Sequence, residues 1–402
     1  MLSIKLKFRS SDTDEKEGSL YYQIIYKRVV REIATQYKIK AEEWNEELGT
    51  LKIAKKDDER KHFLQMMLRR IQWDIKRLMK ITECCMNSGS AFSANSIIDV
   101  FRAETNDATL FKYAERLIVK LQMNGQMRTS ETYCCALQSF RRFRQGKDLH
   151  FVELDVGLMV SYECYLKSRG LSLNTISFYM KKIRAVYNRA VDEGLAERDN
   201  PFKRVYTSTE KTPKRAIPLE RLKRLKSLDL LSSGPKSFAR DMFLFSFYTR
   251  GMSFVDMAYL KKKDLKDGVL SYRRKKTGQT LYIRWEPCMQ EIVDQYAHDP
   301  NSPYLLNIIK DVQNDTRKQY LNVLTLVNRN LKHVGRLIGL DKPLSMYVAR
   351  HSWASIAKAE GVPLSVISEG MGHDSELTTR IYLASLESSV IDNANQKIIK
   401  LI

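Results

Sequence analysis

Three side chains near the end of the chain have the types and the spacing of a phosphoryl-transfer site. Arg350 is followed by His373 and, nine residues after the histidine, by Tyr382. An arginine is always cationic, and its planar fork matches two oxygens of a phosphate. A histidine can donate a hydrogen bond to the same phosphate, and a tyrosine hydroxyl can attack it. Each residue alone would be an ordinary surface or core residue, but their order favours a catalytic interpretation.

The composition indicates a polyanionic partner. The 402 residues include 68 Lys+Arg against 47 Asp+Glu, a formal net charge of +21, with a pI near 9.6. Such a charge favours fast, salt-sensitive binding to nucleic acid, although a merely soluble basic protein would also carry it. Basic residues recur beside aromatic ones at 140–144 and 179–184, which favours a surface that follows a DNA strand. The residues expected to contact DNA there are Arg141, Arg142, Lys181, Lys182 and Arg184.

Length and residue usage limit the remaining classes of protein. The chain is long enough for two or three domains with cores of their own. Its apolar runs are too short for a bilayer span and no charged-then-apolar leader opens it, so we expect no membrane partner and a cytoplasmic location. The six cysteines form no CxxC pair and no cluster with histidine, which predicts reduced thiols and no metal site.

Periodicity predicts a mainly α protein with small β elements, an α+β chain in three regions. Residues 4–8 alternate between apolar and polar, two strand-like runs follow at 20–26 and 29–39, and a helical period covers 56–86. We expect a small sheet with one long helix here. This unit is either a DNA-binding module or a domain for packing or oligomerisation.

The second region has the pattern of helices throughout, from 110 to 191. Thr129 and Ser130 are placed to cap one helix, and residues 173–175 open another that ends at Gly194.

A polar, basic segment at 207–215 predicts a linker, and the third region is mostly helical with one hairpin signal. Between 269 and 284 two alternating runs flank a Thr-Gly turn, with Lys275 and Lys276 at its entry. Lysines beside a turn usually guard an edge strand against aggregation, and here a lysine could also reach into a bound DNA groove.

The third region resembles the catalytic domain of the tyrosine recombinase (phage integrase) family. Its signature is an arginine, a hairpin lysine, a His-x-x-Arg box, a Gly-His pair and a final tyrosine. Two runs particularly resemble integrases and invertible-segment recombinases of Bacteroidetes mobile elements. They are Phe-Tyr-Thr-Arg-Gly-Met-Ser-Phe-Val-Asp-Met at 247–257 and Tyr-Val-Ala-Arg-His-Ser-Trp-Ala at 347–354.

The resemblance extends over nearly the whole chain and implies its domain organisation. Residues 1–105 resemble an arm-type DNA-binding domain with a long helix, and residues 106–206 resemble a helical core-binding (SAM-like) domain. A linker at 207–216 would lead to a mixed α/β catalytic domain at 217–402.

Motif by motif, the resemblance assigns roles. Arg350 matches the second arginine of the family and His373 the histidine of the Gly-His pair. Tyr382 matches the nucleophile and Lys276 the hairpin lysine. The implied product is a 3′-phosphotyrosine with a free 5′ hydroxyl, formed without metal or nucleotide, so no cofactor is expected.

One departure from the family lies beside Arg350. The histidine of the His-x-x-Arg box is Tyr347 here, whose phenol can donate to a phosphate. With a pKa of about 10 a phenol is a poor base at neutral pH. His351 is not in register to replace the missing histidine, and we expect it to stabilise its own helix.

The second departure is the first arginine of the family. Three residues before Asp256, where the family has arginine, stands Ser253. Arg250 lies three residues earlier, and the i and i+3 positions of a helix share a face. We therefore predict that Arg250 fills the vacant place from one turn back, with Ser253 as its neighbour. Asp256 either orients an arginine or is an acid on a helix surface.

The resemblance also implies partners. These are double-stranded DNA and a homotetramer on paired sites, for which the apolar tail at 390–402 is a candidate docking segment or else a self-packed helix. It allows an accessory DNA-bending protein and implies a place on the bacterial nucleoid, with integration, excision or inversion of a DNA segment as the reaction. A type IB topoisomerase and a catalytically idle DNA-binding protein are alternatives. The arm-like first region argues against the former, and the intact Tyr382 argues against the latter.

Overall fold

The chain divides into two compact units, Met1–Lys211 and Thr212–Ile402. In this computed structural model the first unit is described over residues 2–11, 17–53, 59–87, 92–106 and 109–210. The second is described over residues 215–230, 233–296, 300–383, 395–396 and 398–399.

The first unit opens with a three-stranded antiparallel sheet in the order β1–β2–β3. Because side chains alternate between the two faces of a strand, Leu20, Tyr22 and Ile24 all point to one buried face. The three predicted strand runs are thus confirmed. Their bounds are β1 (Leu2–Arg9), β2 (Gly18–Tyr26) and β3 (Val29–Ile39).

Two helices cover the buried face of this sheet. The predicted long helix is α1 (Glu59–Asn87), whose buried residues recur every three or four positions, as at Leu64, Met67 and Ile71. The second, α2 (Ala94–Asn106), was not predicted. A short strand pair, β4 (Trp44–Asn45) with β5 (Thr50–Leu51), completes this part.

The rest of the first unit is helical, as predicted, and has a separate hydrophobic cluster around Phe140 and Tyr162. The expected cap at Thr129 and Ser130 is wrong, because α4 begins two residues earlier and the Ser130 hydroxyl donates to the carbonyl of Met127. The helices are α3 (Leu110–Met123), α4 (Met127–Phe143), α5 (Val156–Ser168) and α6 (Leu173–Asp192).

Cations on α1 pair with acids of the helical part of the same unit. Three such ion pairs connect the long helix to the segment that precedes α5 and the segment that follows α6. The pairs are Arg70 with Glu153, Arg69 with Asp155 and Lys76 with Glu197.

The start of the predicted linker is bound to α6. Ser177 Oγ donates to the carbonyl of Ser208 at 2.5 Å. The side chain of Asn174 donates to the carbonyl of Glu210 at 3.0 Å and accepts from its N–H at 2.8 Å. Residues up to 210 therefore continue the first unit, and residues 211–214 of the predicted linker lie outside the described part.

The second unit is built around α8, whose Met242, Phe243 and Phe245 are fully buried. The predicted hairpin is confirmed as β7 and β8, which form a three-stranded antiparallel sheet with the short β6. The strands are β6 (Leu265–Lys266), β7 (Val269–Arg273) and β8 (Thr280–Arg284). The helices are α7 (Leu219–Ser227), α8 (Gly234–Tyr248), α9 (Phe254–Ala258), α10 (Pro287–Asp294), α11 (Thr316–Leu337), α12 (Met346–Ala359), α13 (Leu364–Met371) and α14 (Glu376–Tyr382).

Within the described ranges, no helix combines the length and the apolar character needed to cross a membrane. The described His, Cys, Asp and Glu residues also form no group of three or more that could hold a metal ion. The six cysteines are free thiols. Most of the tail at 390–402, with its predicted docking role, lies outside the described residues, whereas Ile398 and Ile399 are exposed.

Candidate active site

Arg350 is the centre of the site. It lies in the second turn of α12, is only 8% exposed, and directs its guanidinium at three groups from other segments. Nη1 donates to the carbonyl of Gly251 at 3.0 Å, and Nη2 donates to the carbonyl of Met371 at 2.6 Å. Nη2 also lies 3.1 Å from Nε2 of His373. The guanidinium is thus pinned by backbone carbonyls in the orientation that presents it to His373.

Gly251 allows this arrangement because it has no side chain. Its φ of +78° is in the left-handed region, and a Cβ there would lie 2.6 Å from Cγ of Arg350 and 2.7 Å from its Cα. The turn between α8 and α9 therefore approaches α12 this closely only because position 251 carries no side chain.

His373 is held from both sides of its ring. Nδ1 lies 2.7 Å from the hydroxyl of Thr379, which is fully buried. Because the guanidinium of Arg350 can only donate, Nε2 must accept, and the hydrogen-bond network assigns the ring proton to Nδ1. Burial first, and then the charge of Arg350, lower the pKa of His373 to about 4. Arg274 and Lys276 add smaller contributions of the same sign, so the imidazole is neutral at pH 7.

The predicted nucleophile, Tyr382, is the last residue of α14. It follows Thr379 by three residues, so its backbone lies within one helical turn of the residue that holds His373. Its side chain lies outside the described part of the structure.

The hairpin loop brings two lysines to the edge of the site. Lys276 is exposed, and its charge is close enough to His373 to lower the pKa of that residue. Lys275 lies elsewhere, with Nζ 3.6 Å from the centroid of the Tyr259 ring. Of the two adjacent lysines, the structure therefore brings Lys276 to the site, as the family motif implies.

Arg274 belongs to the site, and the sequence analysis missed it. It is 7% exposed and donates from Nη1 to the carbonyl of Gly372, next to His373. Arg274 and Arg350 thus both bind carbonyls at the C-terminal end of α13, where the helix dipole favours cations. A signal was available, because Leu270, Tyr272 and Arg274 alternate along the inward face of β7 and beyond its end.

Arg250 also comes to the site, but not by the predicted route. It has a φ of +59° and lies in the turn between α8 and α9, so no helical turn connects it with Ser253. Its Cδ lies 3.6 Å from the place where a Cβ of Gly370 would be, near the α13 end that Arg350 binds. Among the described residues, the Arg250 guanidinium has no hydrogen-bonding or ion-pairing partner.

The buried phenol of Tyr272 is influenced by the charges of three arginines. Burial, and next the charge of Asp256, raise the pKa of Tyr272. The positive charges that oppose this rise belong to Arg274, Arg350 and Arg250. The charges of all three guanidinium groups therefore act on the same buried phenol.

Ser253 and Asp256 position backbone rather than an arginine. Ser253 is the N-cap of α9, and its hydroxyl donates to Oδ2 of Asp256 at 2.6 Å. Oδ1 of Asp256 accepts the N–H of Lys275 at 2.9 Å. Asp256 is 4% exposed. Both interpretations offered for Asp256 are thus corrected: it is not a surface acid, and its hydrogen bonds go to Ser253 and the hairpin.

Tyr347 and His351 form a pair on the first turns of α12. Their rings meet edge to face with centroids 4.6 Å apart. His351 is buried, which agrees with its expected role in holding the helix, whereas Tyr347 is 61% exposed. Tyr347 precedes Arg350 by three residues on the same helix.

The basic residues expected to contact DNA differ in their surroundings. Arg142 is exposed, and Arg184 is half-buried. Arg141 pairs with Glu115 and lies over the Phe111 ring. Lys181 bonds to the hydroxyl of Thr209, and Lys182 lies over the rings of Tyr133 and Phe178. Burial, and next the charge of Arg189, lower the pKa of Lys182. Aromatic and acidic neighbours therefore already engage part of this basic surface.

Two protein-family models match the chain. The phage integrase SAM-like domain matches residues 109–207, and the phage integrase family matches residues 228–389. Together they account for well over half of the chain.

Curated proteins with similar sequences are tyrosine recombinases. Tyrosine recombinase XerA of Pyrococcus furiosus is 27% identical over 223 residues, which cover 54% of this chain and 72% of that protein. Tyrosine recombinase XerC of Thermodesulfovibrio yellowstonii is 25% identical over 280 residues, which cover 66% of this chain and 88% of that protein.

Solved structures with a similar fold include two integrases bound to DNA. A lambda integrase dimer on a COC′ core site has a TM-score of 0.53 at 16% identity, with 93% of this chain and 96% of that chain covered. The Tn1549 transposon integrase with circular intermediate DNA has a TM-score of 0.52 at 15% identity, with 72% and 99% covered. At such identities the likeness establishes the fold.

Proposed function

Because the chain belongs to the tyrosine recombinase (phage integrase) family of site-specific DNA recombinases, we propose that Tyr382 cuts and rejoins DNA strands through a 3′-phosphotyrosine link. The observation that carries this proposal is the buried guanidinium of Arg350, pinned by two carbonyls beside His373. The α14 turn that holds His373 through Thr379 also carries Tyr382.

The proposed cleavage step balances as follows. The hydroxyl oxygen of Tyr382 bonds to phosphorus while the bond between phosphorus and the 5′ oxygen breaks. The phenolic proton leaves to water. Lys276 gives a proton to the departing 5′ oxygen, which becomes a hydroxyl. A 5′ hydroxyl from a second strand reverses these steps, and the energy of the phosphodiester is conserved in the protein link.

Arg350 and His373 would stabilise the charge that develops on the phosphate. Preorganised donors in a water-poor site contribute about 3–4 kcal/mol each in comparable reactions. His373 is neutral and carries one ring proton, which must move from Nδ1 to Nε2 before the imidazole can donate to the phosphate. Thr379 permits this change, because a hydroxyl can accept from Nδ1–H in one tautomer and donate to Nδ1 in the other.

The second guanidinium on the phosphate is proposed to be that of Arg250. It is half-buried, it reaches the α13 end where Arg350 binds, and no described residue engages it. Arg274 is the competing candidate, since it is buried next to His373. Its guanidinium already serves the Gly372 carbonyl, so Arg274 would have to leave that partner to bind a phosphate.

The partner of the reaction is proposed to be double-stranded DNA bound by more than one protomer. The net charge of +21 and the exposed Arg142 support DNA binding. Strand exchange between two duplexes requires four protomers, hence a tetramer on paired sites. An accessory DNA-bending protein, a Bacteroidetes mobile element as the source and a place on the nucleoid in the cytoplasm are further parts of the proposal. Integration or excision and inversion fit the site equally well.

A trapping experiment tests the proposed reaction. The full chain selects a duplex from a random-sequence pool, and nicks are then placed along that duplex so that the short fragment released by cleavage diffuses away. We expect a covalent adduct between protein and DNA at one nick position, with the link mapped to Tyr382 in the digested adduct. Tyr382→Phe should remove the adduct and leave site binding within a few fold. An adduct that persists in this variant contradicts the assignment.

A further inference from the structure

The ring of Tyr259, at the end of α9, is held rigidly. Its hydroxyl lies 3.1 Å from Oγ1 of Thr316. Edge-to-face contacts with Tyr304 and Tyr320 have ring centroids 6.1 and 5.8 Å away. The ring is thus fixed by a hydroxyl and two aromatic edges, and its face remains available for a further contact.

Lys275 occupies that face. Its Nζ lies 3.6 Å from the ring centroid, where the negative face of the aromatic system attracts an ammonium group. Its backbone N–H donates to Oδ1 of Asp256 at 2.9 Å, and Asp256 is itself fixed by Ser253. Lys275 is therefore attached to the body of the unit by its side chain and by its main chain.

The next residue, Lys276, acts on a different group. Both lysines are exposed, but the charge of Lys276 influences His373 rather than an aromatic ring. Because the two lysines are adjacent, the attachment of Lys275 determines where the backbone delivers Lys276.

We propose that Lys275 and Tyr259 are positioning residues for strand cleavage. By docking the entry of the hairpin loop, they set the place from which Lys276 gives its proton to the 5′ oxygen. This inference rests on the proposed function. It assigns different tasks to two neighbouring lysines, since Lys275 anchors the loop and Lys276 transfers the proton, which it then regains from water.

The test compares two nicked duplexes that differ in one atom, the 5′ oxygen or a sulfur in its place. A thiol ionises near pH 8.5, so sulfur leaves without a proton, whereas an alkoxide leaves slowly unless an acid protonates it. A residue that acts through Lys276 therefore matters only on the oxygen substrate. A residue needed for folding or DNA binding matters on both. The rate of covalent adduct formation by the full chain is the readout.

We expect Lys276→Ala to slow adduct formation on the oxygen substrate by about 100- to 10,000-fold and to be restored by sulfur. Lys275→Ala and Tyr259→Leu should each slow the oxygen substrate by about 3- to 30-fold and the sulfur substrate by about twofold or less. The variant that combines Lys275→Ala with Tyr259→Leu should be no slower than either single variant, because the two substitutions remove the same contact.

Conservative variants and a matched control separate this contact from general damage. Lys275→Arg keeps a cation over the ring and Tyr259→Phe keeps the ring, so each should recover most of the lost rate. Lys266→Ala removes an exposed lysine from β6 of the same sheet and should leave both rates unchanged.

Three results would overturn the inference. The first is equal slowing of the two substrates by Lys275→Ala, and the second is no slowing of either substrate. In the third, Lys275→Ala slows the oxygen substrate as much as Lys276→Ala does, and sulfur restores the rate. That result would make Lys275 the proton donor. Absence of any adduct with the unaltered protein on either substrate would instead contradict the proposed function.

Discussion

Arg350 and His373 hold each other in the DNA-free protein, with Nη2 of the guanidinium 3.1 Å from Nε2 of the imidazole. A guanidinium only donates, so this contact keeps the imidazole proton on Nδ1, facing Thr379. In the proposed reaction, a phosphate that enters the site would compete for the same Nη2 group and release Nε2. One change of tautomer at His373 would then let both residues donate to the phosphate, as the proposal requires.

Removing the Thr379 hydroxyl should slow cleavage without removing DNA binding. Valine keeps the shape of this buried side chain but removes the hydroxyl that Nδ1 of His373 contacts in both tautomers. We expect adduct formation to slow about 10- to 100-fold, which corresponds to about 1.4–2.7 kcal/mol. Thr379→Ser keeps the hydroxyl and should restore most of the rate. Normal cleavage by Thr379→Val would show that His373 does not depend on this bond.

The lowered pKa of His373 predicts a loss of stability in mild acid. Its pKa is near 6.5 in the unfolded chain and about 4 in the folded protein, so the unfolded state binds the proton more readily between these values. Stability from this residue is complete above pH 6.5 and falls as the pH drops toward 4. Because the ring is partly exposed and solvent screens it, we expect the free energy of unfolding to fall by roughly 1 kcal/mol from pH 7 to pH 5.

The measurement is denaturant unfolding of the unaltered chain and of His373→Gln at the two pH values. Glutamine cannot take up the proton, so the stability of His373→Gln should depend less on pH. The difference from the unaltered chain should equal the amount attributed to His373. His150 in the first unit also has a pKa lowered by burial and responds in the same direction, and it is common to both proteins. An identical pH dependence in the two proteins would contradict the prediction.

Substitutions of Arg250 and of Arg274 should have different effects on the rate of cleavage and on stability. Arg250→Ala should slow cleavage by roughly two orders of magnitude, about 3 kcal/mol, with little effect on the unfolding temperature. Arg250→Lys should recover little of the rate, because an ammonium lacks the planar fork. Arg274→Met should lower stability by about 1–3 kcal/mol, since the buried Gly372 carbonyl loses its donor. Normal cleavage by Arg250→Ala together with lost cleavage by Arg274→Met would move the first-arginine role to Arg274.

Gly251→Ala should damage both the site and the unit that carries it. An L-residue at this positive φ costs about 1–2 kcal/mol, and the added Cβ would lie 2.6 Å from Cγ of Arg350. We expect a lower unfolding temperature and lost adduct formation. Gly361→Ala is a matched control, since Gly361 also has a positive φ but nothing lies within 4 Å of its added Cβ. Equal cleavage by the two variants would show that the contact with Arg350 is unimportant.

The sequence predicted the residues of the site better than it predicted their geometry. Arg350, His373 and Lys276 lie in short runs of unusual composition, and the structure brings all three together. The relation of Arg250 to Ser253 was wrong, because two successive left-handed residues, Arg250 and Gly251, end α8 where a continuous helix had been assumed. A left-handed arginine has no signature in the sequence beyond the glycine that follows it.

Two other features depended on contacts between distant segments. Arg274 was not selected, because strand alternation indicates that a side chain points inward but not that a helix end awaits it. Asp256 binds the N–H of Lys275, and nothing in the sequence relates an acid on α9 to a loop nineteen residues later. The sheet, the long helix and the hairpin were predictable because each follows a local period.

The ion pairs between α1 and the helical part of the first unit bear on how the protein responds to salt. A cation that binds a DNA phosphate releases a condensed counterion, and the slope of log affinity against log salt counts such cations. Arg70 and Lys76 already neutralise Glu153 and Glu197 and would have to give up those acids first. The first unit should therefore show a shallower salt slope than its many basic residues suggest. Replacing Glu153 and Glu197 with glutamine should make that slope steeper.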